Sequence, residues 1–136
     1  PTAGNLRGND VTVGIEGWSS VGLQVARIMQ VDDNGRFVYL NNGAFTAYDG
    51  VTGGSIGPVP SANTRYKIIT RCANSFARGF TNGTAYTAFN FDGSMGSGST
   101  FYIGSSGATE YYFGYLRNLK IWFKPLSDDR CKQLTL

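Results

Sequence analysis

Apolar residues in this chain recur mostly at every second position, the spacing of strands that bury one face. Val11, Val13 and Ile15 lie on one parity and Glu16 and Trp18 on the other, which predicts a first strand over Val11–Trp18. Val21–Val31 has Val25, Met29 and Val31 on one parity but Ile28 on the other, as in a strand buried on both faces or carrying a bulge. Strands follow at Arg36–Leu40 and Ala44–Tyr48, punctuated by Asp33-Asn34-Gly35 and Asn41-Asn42-Gly43, whose residue types suit positive φ. Arg65–Cys72 alternates cleanly, with Tyr66, Ile68, Thr70 and Cys72 facing in and Arg65, Lys67 and Arg71 facing out. Phe76–Phe80 and Ala85–Phe89 flank Asn82-Gly83, a hairpin signal. Val51–Asn63 and Phe91–Thr100 are rich in Gly, Ser and Pro and read as loops; the first is long enough to suggest a functional one.

The remaining stretch begins with a short strand, Phe101–Ile103, stopped by Gly104. In Tyr115–Phe123, Leu119, Ile121 and Phe123 alternate with Lys120 and Trp122, while Leu116 sits on the opposite parity. Either a bulge near Arg117-Asn118 shifts the phase or Leu116 packs outward. Pro125 ends the strand because it cannot donate to a ladder. Ser127 is a natural N-cap, Asp128 and Asp129 suit the positive end of a helix dipole, and Leu126 with Cys131 fits a hydrophobic staple. The helix has room for only about two turns and must dock, through Leu126, Cys131 and Leu134. About eight or nine short strands with one short C-terminal helix predict an all-β chain, a two-sheet antiparallel β-sandwich or jelly roll. Tyr66, Ile68, Leu119 and Ile121 are expected in its core.

The 136 residues fit one domain, 11–136, behind a polar Gly/Asn-rich arm at 1–10. A chain that begins at Pro1 reads as a processed product or an excised domain. Nineteen glycines and few charges agree with a turn-dense β protein. The net charge of +3 is scattered rather than gathered into a stripe, so no nucleic-acid partner is expected. No apolar run approaches the roughly 18 residues of a spanning helix, and no membrane partner is expected. Cys72 and Cys131 are the only cysteines and there is no histidine. Two buried thiols, or one bridge from a core strand to the helix, are the readings open for that pair.

Without histidine, the Ser/His/Asp and Cys/His mechanisms and a histidine-held zinc have no parts here. The only glutamates, Glu16 and Glu110, have no acid two residues away, so the paired carboxylates of glycoside hydrolysis are missing. Glu16 as a lone acid competes with Glu16 as a solvated strand-face charge. Asp32, Asp33 and Asn34 form the one dense acidic cluster, which an Asx-stabilised turn explains without calcium. No catalytic residue, metal ligand or cofactor is expected.

A strand ending in Ile103-Gly104, a loop, then FGYLRNLKIWFKPLS closed by a short helix resembles the end of laminin-G-like domains in the concanavalin A-like lectin/glucanase superfamily. The wording FGYLRNLKIWFKPLSDDRCKQLT is similar to versions in bacteriophage tail and head fibre proteins. TVGIEGW resembles the first strand of such domains, and YKIITR with FARGFTNGTAYTA the hairpin before the Ile103-Gly104 strand, so the resemblance covers about Val11–Leu136. The superfamily's glucanases carry Glu-x-Asp-x-Glu on one strand, and its calcium sites an Asp-x-aromatic-x-Asn pattern; both are missing here. The resemblance implies a non-catalytic lectin-like module on the exterior of a phage particle assembled in the host cytoplasm. Its partners would be a bacterial surface polysaccharide or glycan, further copies of itself in a homotrimer, or other virion proteins.

Sugar binding needs flat aromatic faces with polar groups beside them. Trp18, Tyr48, Tyr111, Tyr112 and Trp122 are the aromatics that parity or loop position places outside the core, and Asp49 adjoins one of them. The same aromatics could instead line a subunit interface. Three readings therefore stand: a glycan-binding module, a structural virion module for decoration, folding or trimerisation, and a glycan-cleaving enzyme that lacks its carboxylates.

Overall fold

The computed structural model describes residues 10–20, 25–31, 35–41, 44–58, 61–91, 100–105 and 110–136. The arm at 1–9, the start of the second expected strand at 21–24, the turns at Asp32–Asn34 and Asn42-Gly43, and 92–99 of the second loop lie outside them. The strands are β1 Val11–Ser19, β2 Val25–Val31, β3 Gly35–Asn41, β4 Ala44–Tyr48, β5 Gly53–Pro58, β6 Arg65–Ala73, β7 Phe76–Thr81, β8 Thr84–Ala85, β9 Phe89–Asn90, β10 Phe101–Ile103 and β11 Gly114–Trp122, and the helix is α1 Asp128–Thr135. They form a β-sandwich of two antiparallel sheets. One runs β11-β1-β6-β7-β8, with β9 also on β7, and the other runs β10-β2-β3-β4-β5.

Alternation decides the layers. Val11, Val13 and Ile15 of β1 and Tyr66, Ile68 and Cys72 of β6 join Ile28, Met29, Phe45 and Ile56 of the second sheet in one buried cluster. The Phe45 and Tyr66 rings meet across the sheets at 4.7 Å between centroids. Leu116, Leu119 and Ile121 of β11 are half-buried against that cluster. All three face inward because β11 carries a bulge, the first of the two readings open there. Gly14 pairs with Lys120 and Glu16 with Arg117, so Asn118 and Leu119 together oppose Ile15, and Asn118 adopts φ 53°. The mixed parity of β2 has the same cause, with register shifts on either side of Met29.

Two expectations need correction. Val51–Asn63 is not one loop, because Gly53–Pro58 pairs along β4 as β5. Its glycines hide the strand from propensity, yet they let neighbours close in: a Cβ at Gly54 would fall 2.4 Å from the Phe89 ring. Ala85–Phe89 is not one strand either. The hairpin partner leaves β7 after Ala85 and returns at Phe89, with residue 86 held by Tyr86 N–H donating to Gly79 O at 2.9 Å.

The outer face of the larger sheet has its own small core. Ile69 and Phe80 lie buried under α1 with Cys131, flanked by Leu126, Leu134 and Ala85. Cys72 and Cys131 are thus free thiols on opposite sides of one sheet. Ser127 caps α1, its hydroxyl accepting from Arg130 N–H at 3.3 Å. Asp128 in the first turn clamps the helix to the sheet through Arg71, at 3.0 Å, and Arg78. Ser127→Ala should cost about 1 kcal/mol, seen as a lower urea midpoint; an unchanged midpoint would mean that docking alone fixes the helix start. No helix among the described residues is long and apolar enough to cross a membrane.

Candidate functional site

On the outer face of the larger sheet, between β11, β1 and β6 and the end of α1, lies an open groove of about 630 Å³. That falls within the range of small-molecule sites. Cross-strand register builds its wall. Trp18 pairs with Tyr115 on one side and Arg65 on the other, giving a row Tyr115–Trp18–Arg65 across three strands. One step along, Glu16 pairs with Arg117 and Lys67, giving a charged row Arg117–Glu16–Lys67. Side chains two apart on a strand share a face, so both rows look into the same space. Asn82 of the hairpin and Leu136 after α1 close the far side.

The aromatic row is a corner rather than a stack. The Trp18 and Tyr115 rings are 5.5 Å apart and inclined by 38°. Trp18 is half-buried, whereas Tyr115 is 74 % exposed. Beneath them Tyr66 is buried and packs under Gly17, where a Cβ would fall 2.3 Å from its hydroxyl oxygen. Tyr66 donates to the Tyr112 oxygen at 2.6 Å, and Ser19 also hydrogen-bonds that hydroxyl. Burial pushes both phenols above their ordinary pKa, so they stay neutral and serve as a rigid floor.

In the charged row Arg117 Nε donates to Glu16 Oε2 at 3.0 Å, and Lys67 donates to the main-chain oxygen of Leu136. Burial raises the pKa of Glu16, but hydrogen bonds from Asn118 and Arg117 and the charges of Arg117 and Lys67 outweigh it, leaving the group below the usual glutamate range. A general acid for glycoside chemistry needs the opposite shift. Glu110 is paired elsewhere, with Arg27. Burial pushes the Cys72 thiol up to about 12 and the Cys131 thiol up to about 11, so neither is a nucleophile near neutral pH.

The depressed Glu16 pKa has a sign. A carboxyl whose folded pKa lies below its unfolded value adds stability above the unfolded pKa and loses it as pH falls through the folded one. The stability deficit of Glu16→Gln should therefore be present at neutral pH and shrink once the pH drops below the glutamate range, measured by urea midpoints at both pH values. A deficit that persists in acid would mean that the carboxylate charge contributes nothing.

Of the residues expected from sequence, Trp18 enters the groove. Trp122 lies on the same outer face over Gly14, in a small neighbouring depression that shares Glu16, Lys67 and Thr135 with the groove. Tyr112 is half-buried behind the groove, and Tyr111 is exposed just before β11. Tyr48 and Asp49 belong to the other sheet and do not join this group. The Tyr48 hydroxyl donates to Gly50 O, and buried Asp49 accepts from Val51 N–H and Thr52 N–H at 2.8 and 2.7 Å, an Asx turn leading into β5. Tyr115, Arg65, Lys67 and Arg117 were missed as site residues. Tyr115 and Arg117 share the parity of Leu119 and Ile121 and face outward only because the bulge shifts the phase, so counting along the strand did not single them out; nor could it foresee the meeting of β1, β6 and β11.

No family model and no curated protein sequence matches the chain. Solved structures do match in fold. The CBM40 carbohydrate-binding module of the Ruminococcus gnavus IT-sialidase, bound to α2,3-sialyllactose, superposes with a TM-score of 0.77 at 11 % identity, over 97 % of this chain and 85 % of the module. Domain 4 of AbnA, an extracellular arabinanase from Geobacillus stearothermophilus in complex with arabinotriose, gives 0.70 at 13 % identity, over 94 % and 67 %. A Bacteroides ovatus protein suggested to bind carbohydrate gives 0.74 at 12 % identity, over 92 % of this chain but 40 % of that one. The chain thus spans less than half of that protein, and at these identities the likeness is one of fold: a two-sheet antiparallel jelly-roll sandwich with one short C-terminal helix.

Proposed function

We propose that the chain is a non-catalytic carbohydrate-binding module and that a glycan lies in the groove against Trp18 and Tyr115. The observation that carries this reading is an inclined aromatic pair, half-buried Trp18 and exposed Tyr115, set beside polar side chains in an open groove. Such a corner suits a sugar ring, which offers an apolar C–H face to one ring and hydroxyls to the neighbouring donors and acceptors. The carbohydrate-binding fold neighbours support it. Trp122, in the depression beside the groove, extends the aromatic surface on the same face.

A single open site of this sort binds in the millimolar range, or about 4 kcal/mol. The resemblance to phage fibre domains extends the reading to host-surface attachment by a virion exterior protein, in which a homotrimer would supply avidity. Trp18→Ala should lower affinity at least tenfold for oligosaccharides selected on a glycan array, with the melting temperature within a few degrees. Unchanged binding by Trp18→Ala, or no binding by the unaltered protein at tens of millimolar, would sink the proposal.

A structural role has its own support in exposed Phe113 and Phe123, 59 % and 55 % accessible, near the β11 edge. That role predicts a mass above the monomer by light scattering, with Phe113→Ser and Phe123→Ser together dissociating the assembly.

A further inference from the structure

Resting on that reading, we infer that the groove selects saccharides bearing a carboxylate, with Arg65 as the residue that reads the acid. Three cationic side chains, Arg65, Lys67 and Arg117, face this groove against one acidic side chain, Glu16. Two of them are already engaged. Arg117 is held by Glu16, and Lys67 reaches the main-chain oxygen of Leu136. Arg65 is exposed and has no ion-pair partner among the described residues.

Its place is what gives this charge meaning. Arg65 is the cross-strand neighbour of Trp18, and Tyr115 flanks Trp18 on the other side. A sugar ring resting in the aromatic corner would bring a ring substituent over the Arg65 end of that row. A guanidinium there presents a planar fork of donors that matches a carboxylate in two parallel hydrogen bonds. Glu16, next along the face, is ionised at neutral pH as an ordinary glutamate is. It is tied to Arg117, so it adds little repulsion at the Arg65 end. One unneutralised arginine also argues against a phosphate-rich polymer, which needs a stripe of cations along its backbone. The class that fits is an acidic glycan with a single carboxylate per recognised ring, such as a uronic acid.

The test compares an oligogalacturonide with its carboxyl-reduced counterpart, titrated calorimetrically against the whole chain at low and high salt. The acid should bind about tenfold more tightly at low salt, the difference shrinking as salt is added. Arg65→Gln should bring the ratio of the two affinities close to one, and Arg65→Lys should restore part of it, because charge returns without the fork. Equal binding of acid and neutral oligomers, or a ratio untouched by Arg65→Gln, overturns this inference and leaves the carbohydrate reading standing. Tighter binding of a single-stranded oligonucleotide than of either oligomer also overturns it. If neither these oligomers nor any glycan on the array binds the unaltered protein, the carbohydrate reading itself fails.

Discussion

Phe45→Ala should destabilise the chain by about 3–5 kcal/mol, the penalty for deleting a fully buried aromatic. Phe45 is 0 % exposed on β4 and reaches across the sandwich to Tyr66 at an interplanar angle of 55°. Its removal costs the transfer free energy of the ring and leaves a cavity that cannot collapse easily, because each wall is a sheet held by its own ladder. Phe123, 55 % exposed, is the control, and its alanine variant should change stability by less than about 0.5 kcal/mol. Urea midpoints for both variants decide it. Similar losses for the two would mean that Phe45 is not at the contact between the sheets.

Gly79→Ala should be nearly as damaging, and its sign is the informative part. Alanine in a strand ordinarily gains about 0.5–1 kcal/mol over glycine. Here a Cβ would lie 2.1 Å from the Ile56 Cβ and 2.3 Å from its Cα. The obstacle is backbone, so no rotamer relieves it and β5 must retreat from β7. Overpacking of this kind costs about 3 kcal/mol, at the upper end of the usual range. Trimming Ile56 to alanine should not rescue the variant, because both clashing atoms remain in alanine. A melting temperature equal to or above that of the parent would show that β5 can move aside freely.

Both residues illustrate what the sequence could and could not say. Alternation in β1, β6 and β11 placed Val13, Tyr66, Ile68 and Leu119 on the inner face, since a strand with one wet face must alternate. Ser127 and Asp128 announced the helix through local chemistry alone. Phe45 sits in a strand found the same way, but its meeting with Tyr66 is a long-range contact that no window contains. β5 was missed because Gly53, Gly54 and Gly57 carry no β propensity; their role is to let another chain segment approach. Ile69 shows a further limit. A residue of outward parity is buried there because α1 folds back over the sheet, and parity cannot foresee a cover supplied some sixty residues later.

The groove was legible only in part for the same reason. Trp18 could be recognised as outward by counting along β1. That Arg65 and Tyr115 stand on either side of it depends on how three distant strands align. Tyr112 precedes β11 rather than belonging to it, so counting parity there had no basis, and its hydroxyl meets Tyr66 behind the groove. Asp49 was a fair candidate by residue type, yet the following Gly-Val-Thr is what an Asx turn uses, and its carboxylate is spent on that turn.

Asn118 carries a consequence for how this chain can change length. Because Asn118 and Leu119 share a single place opposite Ile15, a β11 shortened by Asn118 would keep Leu116 and Leu119 inside and Tyr115 and Arg117 outside. The hydrophobic layer would not register the loss. What would go is the hydrogen bond from Asn118 to Glu16, leaving Arg117 as its cross-strand partner. A single-residue deletion here should therefore be nearly silent for folding and be felt on the outer face, at the contacts of Glu16.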